Sequence, residues 1–429
     1  MLKKYRKEVK KMKQVFVILI AVSLALAPIA SAETVSNTGN GVASNNTATI
    51  NQNNSTTVTQ TNTATITNTF GVSSNTGGNN ANRNTGGSVS VSTGDSGVKA
   101  TIHNIANENV ARVDNCCAPS GATNVSNSGN GDSSKNTAQL NSTNTTQLNQ
   151  YNVANIENAV LVESNTGHNN ANRNTVSGPN AGVAVLTGDS FVGPITISNQ
   201  ANANAAQVGG PAGSSAGMGV TLGNVGNGVK TNNSATANYT NTTTVNQGNV
   251  ANVANRVEIA SNTGSNNANR NTGGDVMVDT GDSAIAVALA TSVNANAAWV
   301  DNCGCVALNN ASVMNKGNGD SAKSSAKINK NNATSVGQYN QSQVVNAGEF
   351  YTNTGHNNAN RNTGPVSGLS DPSVSTGIGY TEVGASTTAN QNLLNSGHVV
   401  MPVPPVTPPN SSNGGWWWYW MGYGWHTAQ

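Results

Sequence analysis

The chain has 429 residues, of which only 9% are charged and 4% aromatic, and Asn, Thr, Ser, Gly and Ala dominate. Residues 1–32 hold seven of the 20 Lys+Arg and one of the 18 Asp+Glu, so the remainder carries 13 basic and 17 acidic residues, a net charge of −4. That balance leaves no basic stretch that would argue for nucleic acid, and so little apolar material fits a disordered chain unless a pattern says otherwise.

The first segment, 1–32, reads as a signal peptide. Lys3, Lys4, Arg6, Lys7, Lys10, Lys11 and Lys13 form a basic region, Val15 to Ala27 an apolar run, and Ala30-Ser31-Ala32 a small-x-small cleavage pattern. The apolar run is too short for an ordinary spanning helix. Secretion follows as the expectation.

The pattern that argues against disorder begins after it. The phrase NTGGNNANRNT at Asn75–Thr85 returns with small changes at Asn165, Asn262 and Asn353, and a Gly-Asn-Gly mark starts at Gly39, Gly129, Gly226 and Gly317. Both marks keep the spacings 90, 97 and 91. Two independent marks in constant phase define four tandem units of about ninety residues. We place these units at 33–125, 126–222, 223–313 and 314–400, the last a divergent C-terminal cap.

Within the first unit the even positions from 46 to 70 read Asn, Ala, Ile, Gln, Asn, Thr, Val, Gln, Asn, Ala, Ile, Asn, Phe, and every odd position there is Thr, Asn or Ser. This is the period of a strand with two unlike faces. The even face repeats between units: Gln60, Gln150, Gln247 and Gln338; Asn62, Asn152, Asn249 and Asn340. The odd face changes, Thr61 giving way to Tyr151. A repeated face that mixes aliphatics with amides suits stacked strands, in which like amides bond in ladders from one rung to the next. In a sandwich core those amides would lack assured partners. The predicted fold is therefore all-β, a repetitive β-solenoid or stacked strand-turn-strand array.

Because strands usually run 3–10 residues, turns are expected inside this stretch, near Asn53–Ser55 and Ser142–Asn144. Others are expected at Ser74–Gly77 and Thr93–Ser96. On that reading each unit supplies four or five rungs, about sixteen to twenty in all. A short aliphatic alternation such as Val89/Val91 follows, then Thr-Gly-Asp-Ser at 93–96, 187–190 and 280–283, replaced by Thr376-Gly377-Ile378-Gly379 in the fourth unit. Each unit closes on Asn-x-Asn: Asn107/Asn109, Asn202/Asn204, Asn294/Asn296 and Asn390/Asn392.

Asn46-Thr47-Ala48-Thr49-Ile50-Asn51-Gln52 resembles the Asn-x-Ala-x-x-x-Gln half of the repeat of curlin, the subunit of bacterial curli fibres. Asn62-x-Ala64 with Asn68, and Asn152-x-Ala154 with Asn158, resemble it with Asn in place of Gln. The upstream Gln and Gly of the curlin motif are not reproduced. The resemblance covers about a quarter of each unit, and it implies a stacked strand-turn-strand fold and fibre formation.

Four side-chain groups are candidate sites. Cys116-Cys117 and Cys303/Cys305 fall at equivalent places in units one and three, which leaves a disulfide, a crosslink between subunits or a metal site open. Arg83, Arg173, Arg270 and Arg361 recur in every unit, either as edge charges, as partners for Asp95, Asp189 and Asp282, or as a ligand-binding row. The aspartates fit turn capping. His168 and His356 share a position with Gly78 and Ser265, so no histidine site is expected. At the end, a Pro-rich and polar linker, 401–415, leads to the aromatic tail 416–429, with Trp416, Trp417, Trp418, Tyr419, Trp420, Tyr423 and Trp425. Such a tail suits docking to a cell envelope or a glycan, plugging an open array end, or nucleating assembly.

No nucleophile-base pair, phosphate loop or metal-spaced cluster is present, and no cofactor or nucleic-acid partner is implied. The sequence predicts a secreted, non-enzymatic structural protein of the cell surface or extracellular matrix, a self-associating fibre subunit or stalk. The alternative is a surface adhesin that binds glycans or a partner through the tail. An ice-binding reading of the Thr57–Thr69 row is weakened by its loss in unit two (Gln139, Asn141, Gln147).

Overall fold

The computed structural model describes residues 33–113, 123–178, 181–209, 219–300, 311–364 and 372–394. All regular structure among them is strand. Four strands make one coil. In the first coil these are β1 (Glu33–Thr38), β2 (Asn45–Asn75), β3 (Val89–Ser92) and β4 (Ser96–Val113). The second coil holds β5 (Thr123–Ser128), β6 (Lys135–Asn165), β7 (Gly182–Thr187) and β8 (Ser190–Val208). The third holds β9 (Val220–Val225), β10 (Asn232–Asn262), β11 (Asp275–Thr280) and β12 (Ser283–Val300), and the fourth β13 (Ala311–Lys316), β14 (Lys323–Asn353), β15 (Ser373–Ser375) and β16 (Gly379–Leu394).

Like strands stack on like, in parallel. The four sheets run β1-β5-β9-β13, β2-β6-β10-β14, β3-β7-β11-β15 and β4-β8-β12-β16. The architecture is a β-solenoid in which one ninety-residue unit is one coil. Two expectations are thereby corrected. The structure has four rungs, not sixteen to twenty. And no turn interrupts the long strands: Asn53–Ser55 and Ser142–Asn144 lie within β2 and β6, which pair residue by residue from Asn45↔Lys135 to Asn75↔Asn165. A strand in an ordinary sheet is short because twist carries it off the core; here each interior strand is held on both edges along its whole length. The turns expected at Ser74–Gly77 and Thr93–Ser96 do separate strands.

The long strand defines the size of the coil. At about 3.3 Å per residue, 31 residues span roughly 100 Å, while four coils at about 4.8 Å are only about 19 Å deep. The molecule is a broad slab cut from a solenoid. Its even face in the first coil points inward, where β2 is met across the core by β1 near its start and by β4 along its later part, in antiparallel sense. Ala48 and Ile50 pack with Val125, Leu140 and Leu222 at one place. Leu148, Val245, Val113 and Val208 form the next cluster, then Ala154, Ile156 and Val253, then Val160, Val162, Ile195 and Ile197. A separate apolar cluster of Val89, Val91, Val183, Val185 and Ala171 sits beneath the Asn phrase.

The extra length of unit two is absorbed without disturbing this register. The offset between equivalent residues of coils one and two is 90 at the ladder of Asn84 and 94 at Asp95. It becomes 95 past a bulge near Val98 and 97 between the next pair of coils at Asn130. Insertions fall between strands or at one bulge, so the side chains of each rung still face their equals.

Candidate functional site

The polar side chains of the core form continuous ladders. Gln150 Nε2 donates to Gln60 Oε1, Gln247 to Gln150 and Gln338 to Gln247, each at 2.8 Å. The other proton of each amide goes across the core to a backbone carbonyl, at Val110, Ala205 and Ala297 in the first three coils. Two residues on, the asparagines braid two sheets together. Asn62 donates to Asn109, Asn109 to Asn152, Asn152 to Asn204, Asn204 to Asn249, Asn249 to Asn296 and Asn296 to Asn340, at 2.8–2.9 Å. Gln150, Asn152, Gln247 and Asn249 are buried. A buried amide without partners is costly; here the stack supplies them from above, below and across.

All eight predicted ladder residues are thus brought together as the sequence suggested. Further ladders run beside these, and three of them bear on the site. Asn104, Asn158, Asn199 and Asn255 make a second braid. Ser74, Ser96, Ser164, Ser190, Ser261 and Ser283 form one chain of hydroxyls at 2.7–2.9 Å, alternating between the two sheets. In the Asn phrase, Asn84 Nδ2 donates to Asn174 Oδ1, Asn174 to Asn271 and Asn271 to Asn362. The Ser74, Ser164 and Ser261 positions share the unit spacing, and that spacing was the available signal. What it could not show was which second series crosses the core to meet them.

At the turn between β3 and β4 the aspartates act as caps. Asp95 Oδ1 accepts from Asp189 N at 2.9 Å, Asp189 Oδ1 from Asp282 N at 2.8 Å and Asp282 Oδ1 from Ile378 N at 2.8 Å. Burial raises the Asp189 carboxyl above the usual carboxylate range; the Asp282 amide opposes this, and the charges of Asp282 and Asp95 add to it. The four arginines stand in file on an exposed corner of the Asn phrase. With the asparagine before each, they line one groove that crosses all four coils. Among the described residues no group of His, Cys, Asp and Glu could hold a metal. Cys116, Cys117, Cys303, Cys305, the signal segment and the whole aromatic tail lie outside the described residues.

The two end coils are built like the interior ones. Each interior coil requires glycine at one place facing the next coil. A Cβ on Gly77, Gly167 or Gly264 would overlap the carbonyl oxygen of Gly167, Gly264 or Gly355 respectively. Gly355, in the fourth coil, has only Asn353 Oδ1 at 4.0 Å and no positive φ, so nothing among the described residues demands glycine there. On the opposite face, a Cβ on Gly131, Gly228 or Gly319 would strike the backbone of the coil before it, while Gly41 in the first coil has open space. The Asn84 ladder ends on Asn362, whose Nδ2 is buried without a partner among the described residues.

No family model, curated protein or solved structure matches this chain. The curlin resemblance rests on the residues that suggested it.

Proposed function

We propose that the protein is a secreted, non-enzymatic structural subunit that builds an extracellular fibre by stacking copies end to end, fourth coil on first. The observation that supports this reading is that, among the described residues, the two outer faces keep the glycines and amides that the interior coil contacts use. Gly355 and Gly41 provide the close approach every interior coil contact uses, and Asn362 Nδ2 awaits the acceptor that Asn84 Oδ1 of a second copy would offer. The donor directions agree. In the Gln ladder each coil donates to the one before it, so Gln338 Oε1 faces the joint as an acceptor for Gln60 Nε2 of the next copy.

The size of the faces supports the same reading. Among the described residues, each end has a 31-residue strand with no neighbour on its outer edge, and edges of that length are templates for further pairing unless something blunts them. The fourth unit departs from the repeat in sequence, yet its Ile378 amide and Gly377 still seat on Asp282 and Gly281 in register. A heterologous contact of this kind does not close, and it propagates as a filament.

Negative-stain microscopy of the purified protein at rising concentration, with fibre diffraction, tests the proposal. Fibres about 100 Å wide with a meridional spacing of about 4.8 Å are expected. Discrete slabs at every concentration, as an end plugged by the tail would give, overturn it.

A further inference from the structure

We propose that the arginine file is a binding site for an extended polymer of carboxylates, an acidic polysaccharide of the uronate type. Three observations point there. First, Arg83, Arg173, Arg270 and Arg361 all adopt positive φ, at 65°, 60°, 61° and 57°, a conformation that Gly or Asn enters more cheaply. The neighbouring positive-φ position holds Gly78, His168, Ser265 and His356 in the four coils. One left-handed site in this loop tolerates any polar residue, while the other keeps the same cation in every coil. Backbone geometry alone does not select arginine.

Second, the charges are placed where they repel. The Arg83, Arg173 and Arg270 amides donate to Asn172, Asn269 and Asn360 carbonyls of the next coil at 2.9 Å. That fixes one arginine per coil, about 4.8 Å apart at the backbone. Two unit charges in water interact with about the thermal energy at ~7 Å, so the file is denser than that limit and holds counterions. A polyanion that replaces several of its own small counterions with this file gains their release.

Third, the asparagines beside the arginines have their oxygens engaged. Asn82, Asn172 and Asn269 Oδ1 accept from the amides of Asn172, Asn269 and Asn360 at 2.6 Å. What the groove offers a ligand is therefore N–H donors, from amide and guanidinium alike. Single-stranded nucleic acid is bound by cationic tracks that also carry aromatic platforms; this groove is lined by Asn and Arg alone. A small anion reaches only neighbouring arginines of the file. A linear carboxylate polymer lying along the stacking direction meets all four.

The site belongs to the single molecule and does not depend on fibre formation. Its test is the binding of polygalacturonate to the purified protein across a salt series, with neutral dextran as control and oligothymidylate as competitor. Expected is a logarithmic salt slope of about −2 to −4, given ~0.9 per neutralised charge in the best-studied polyanion. A variant with all four arginines changed to Asn, which keeps the left-handed backbone, should bind at least tenfold more weakly and lose the slope. The four-fold Arg→Lys variant should keep both. Arg173→Asn alone should reduce the slope by about one unit, a readout independent of how well the multiple variant folds. Absence of binding by the parent protein overturns the proposal. So does unchanged binding by the Asn variant, or competition by oligothymidylate equal to that of polygalacturonate.

Discussion

Asn249→Leu measures what the inner ladder contributes to stability. Asn249 is fully buried. Its Nδ2 donates to Asn296 Oδ1 at 2.8 Å and Asn340 Oδ1 at 3.0 Å, and its Oδ1 accepts from Asn152 at 3.1 Å and Asn204 at 2.9 Å. Leucine keeps the branched outline but is larger, so overpacking adds to the loss, and it removes these bonds together with the longer one from Nδ2 to the Ala295 carbonyl at 3.3 Å. At about 1 kcal/mol per bond, with the orphaned partners still desolvated, the loss is about 3–5 kcal/mol. Asn252→Leu is the matched control. Its Nδ2 also sits in an amide ladder, donating to Asn155 at 2.9 Å, but on the exposed face, and water can replace that bond for less than about 0.5 kcal/mol. Urea unfolding with midpoints and slopes compared across parent, inner and outer variants reads the difference. Equal losses for the two variants, or a loss below about 1 kcal/mol at Asn249, would refute the claim that buried amides hold the coils together.

Gly167→Ala should destabilise by about 2 kcal/mol or more, because the new methyl overlaps the Gly264 carbonyl; a thermal melt that does not move contradicts the close packing of coils. Asp189→Asn keeps the acceptor for the Asp282 amide and removes a carboxylate whose folded-state pKa is raised. The folded parent binds more protons than the unfolded chain between the ordinary value of 3.8 and the raised one, so parent stability falls as pH rises through that window. The Asn variant should show a smaller fall, the part left by Glu108, whose carboxyl burial also raises, and be the more stable at neutral pH; coincident urea midpoints at all pH values would sink this. Tyr239→Phe removes a buried hydroxyl that has no partner among the described residues and that burial pushes up to about 12. Parent stability should drop as pH rises from about 10 towards 12, the Phe variant should be flat there, and at neutral pH it should be equal or better by about 1 kcal/mol. A loss of stability in the Phe variant would show that the hydroxyl has a partner.

Much of this fold is legible because the period-two face and the unit spacing are both exact repeats of chemistry. Gln60, Gln150, Gln247 and Gln338 share an offset and a face, and that alone predicts a ladder. The rung count was not legible for a specific reason. Asn53, Asn54 and Ser55 are turn-forming residues, and a strand of 31 residues is outside the habits of globular sheets. Yet the alternation passes through Gln52, Asn54 and Thr56 without slipping phase, and that continuity was the truer signal. The braid of Asn62 with Asn109 was hidden for a different reason: partners 47 residues apart are set by where the chain turns back, which composition does not encode. The end faces were legible only in three dimensions. Gly355 and Gly41 look like every other glycine of their repeat until their surroundings are seen to be empty.

The most direct test of end-to-end stacking uses those two glycines. Gly355→Val blocks the fourth-coil face and Gly41→Val the first-coil face, each at a position where the single molecule has room. Sedimentation and microscopy of the parent, each variant and their equal mixture distinguish the outcomes. Stacking predicts fibres for the parent, single slabs for either variant alone, and two-molecule stacks for the mixture, which retains one good joint per pair. Fibres that form unimpeded from either pure variant would contradict the joint and the account built on it.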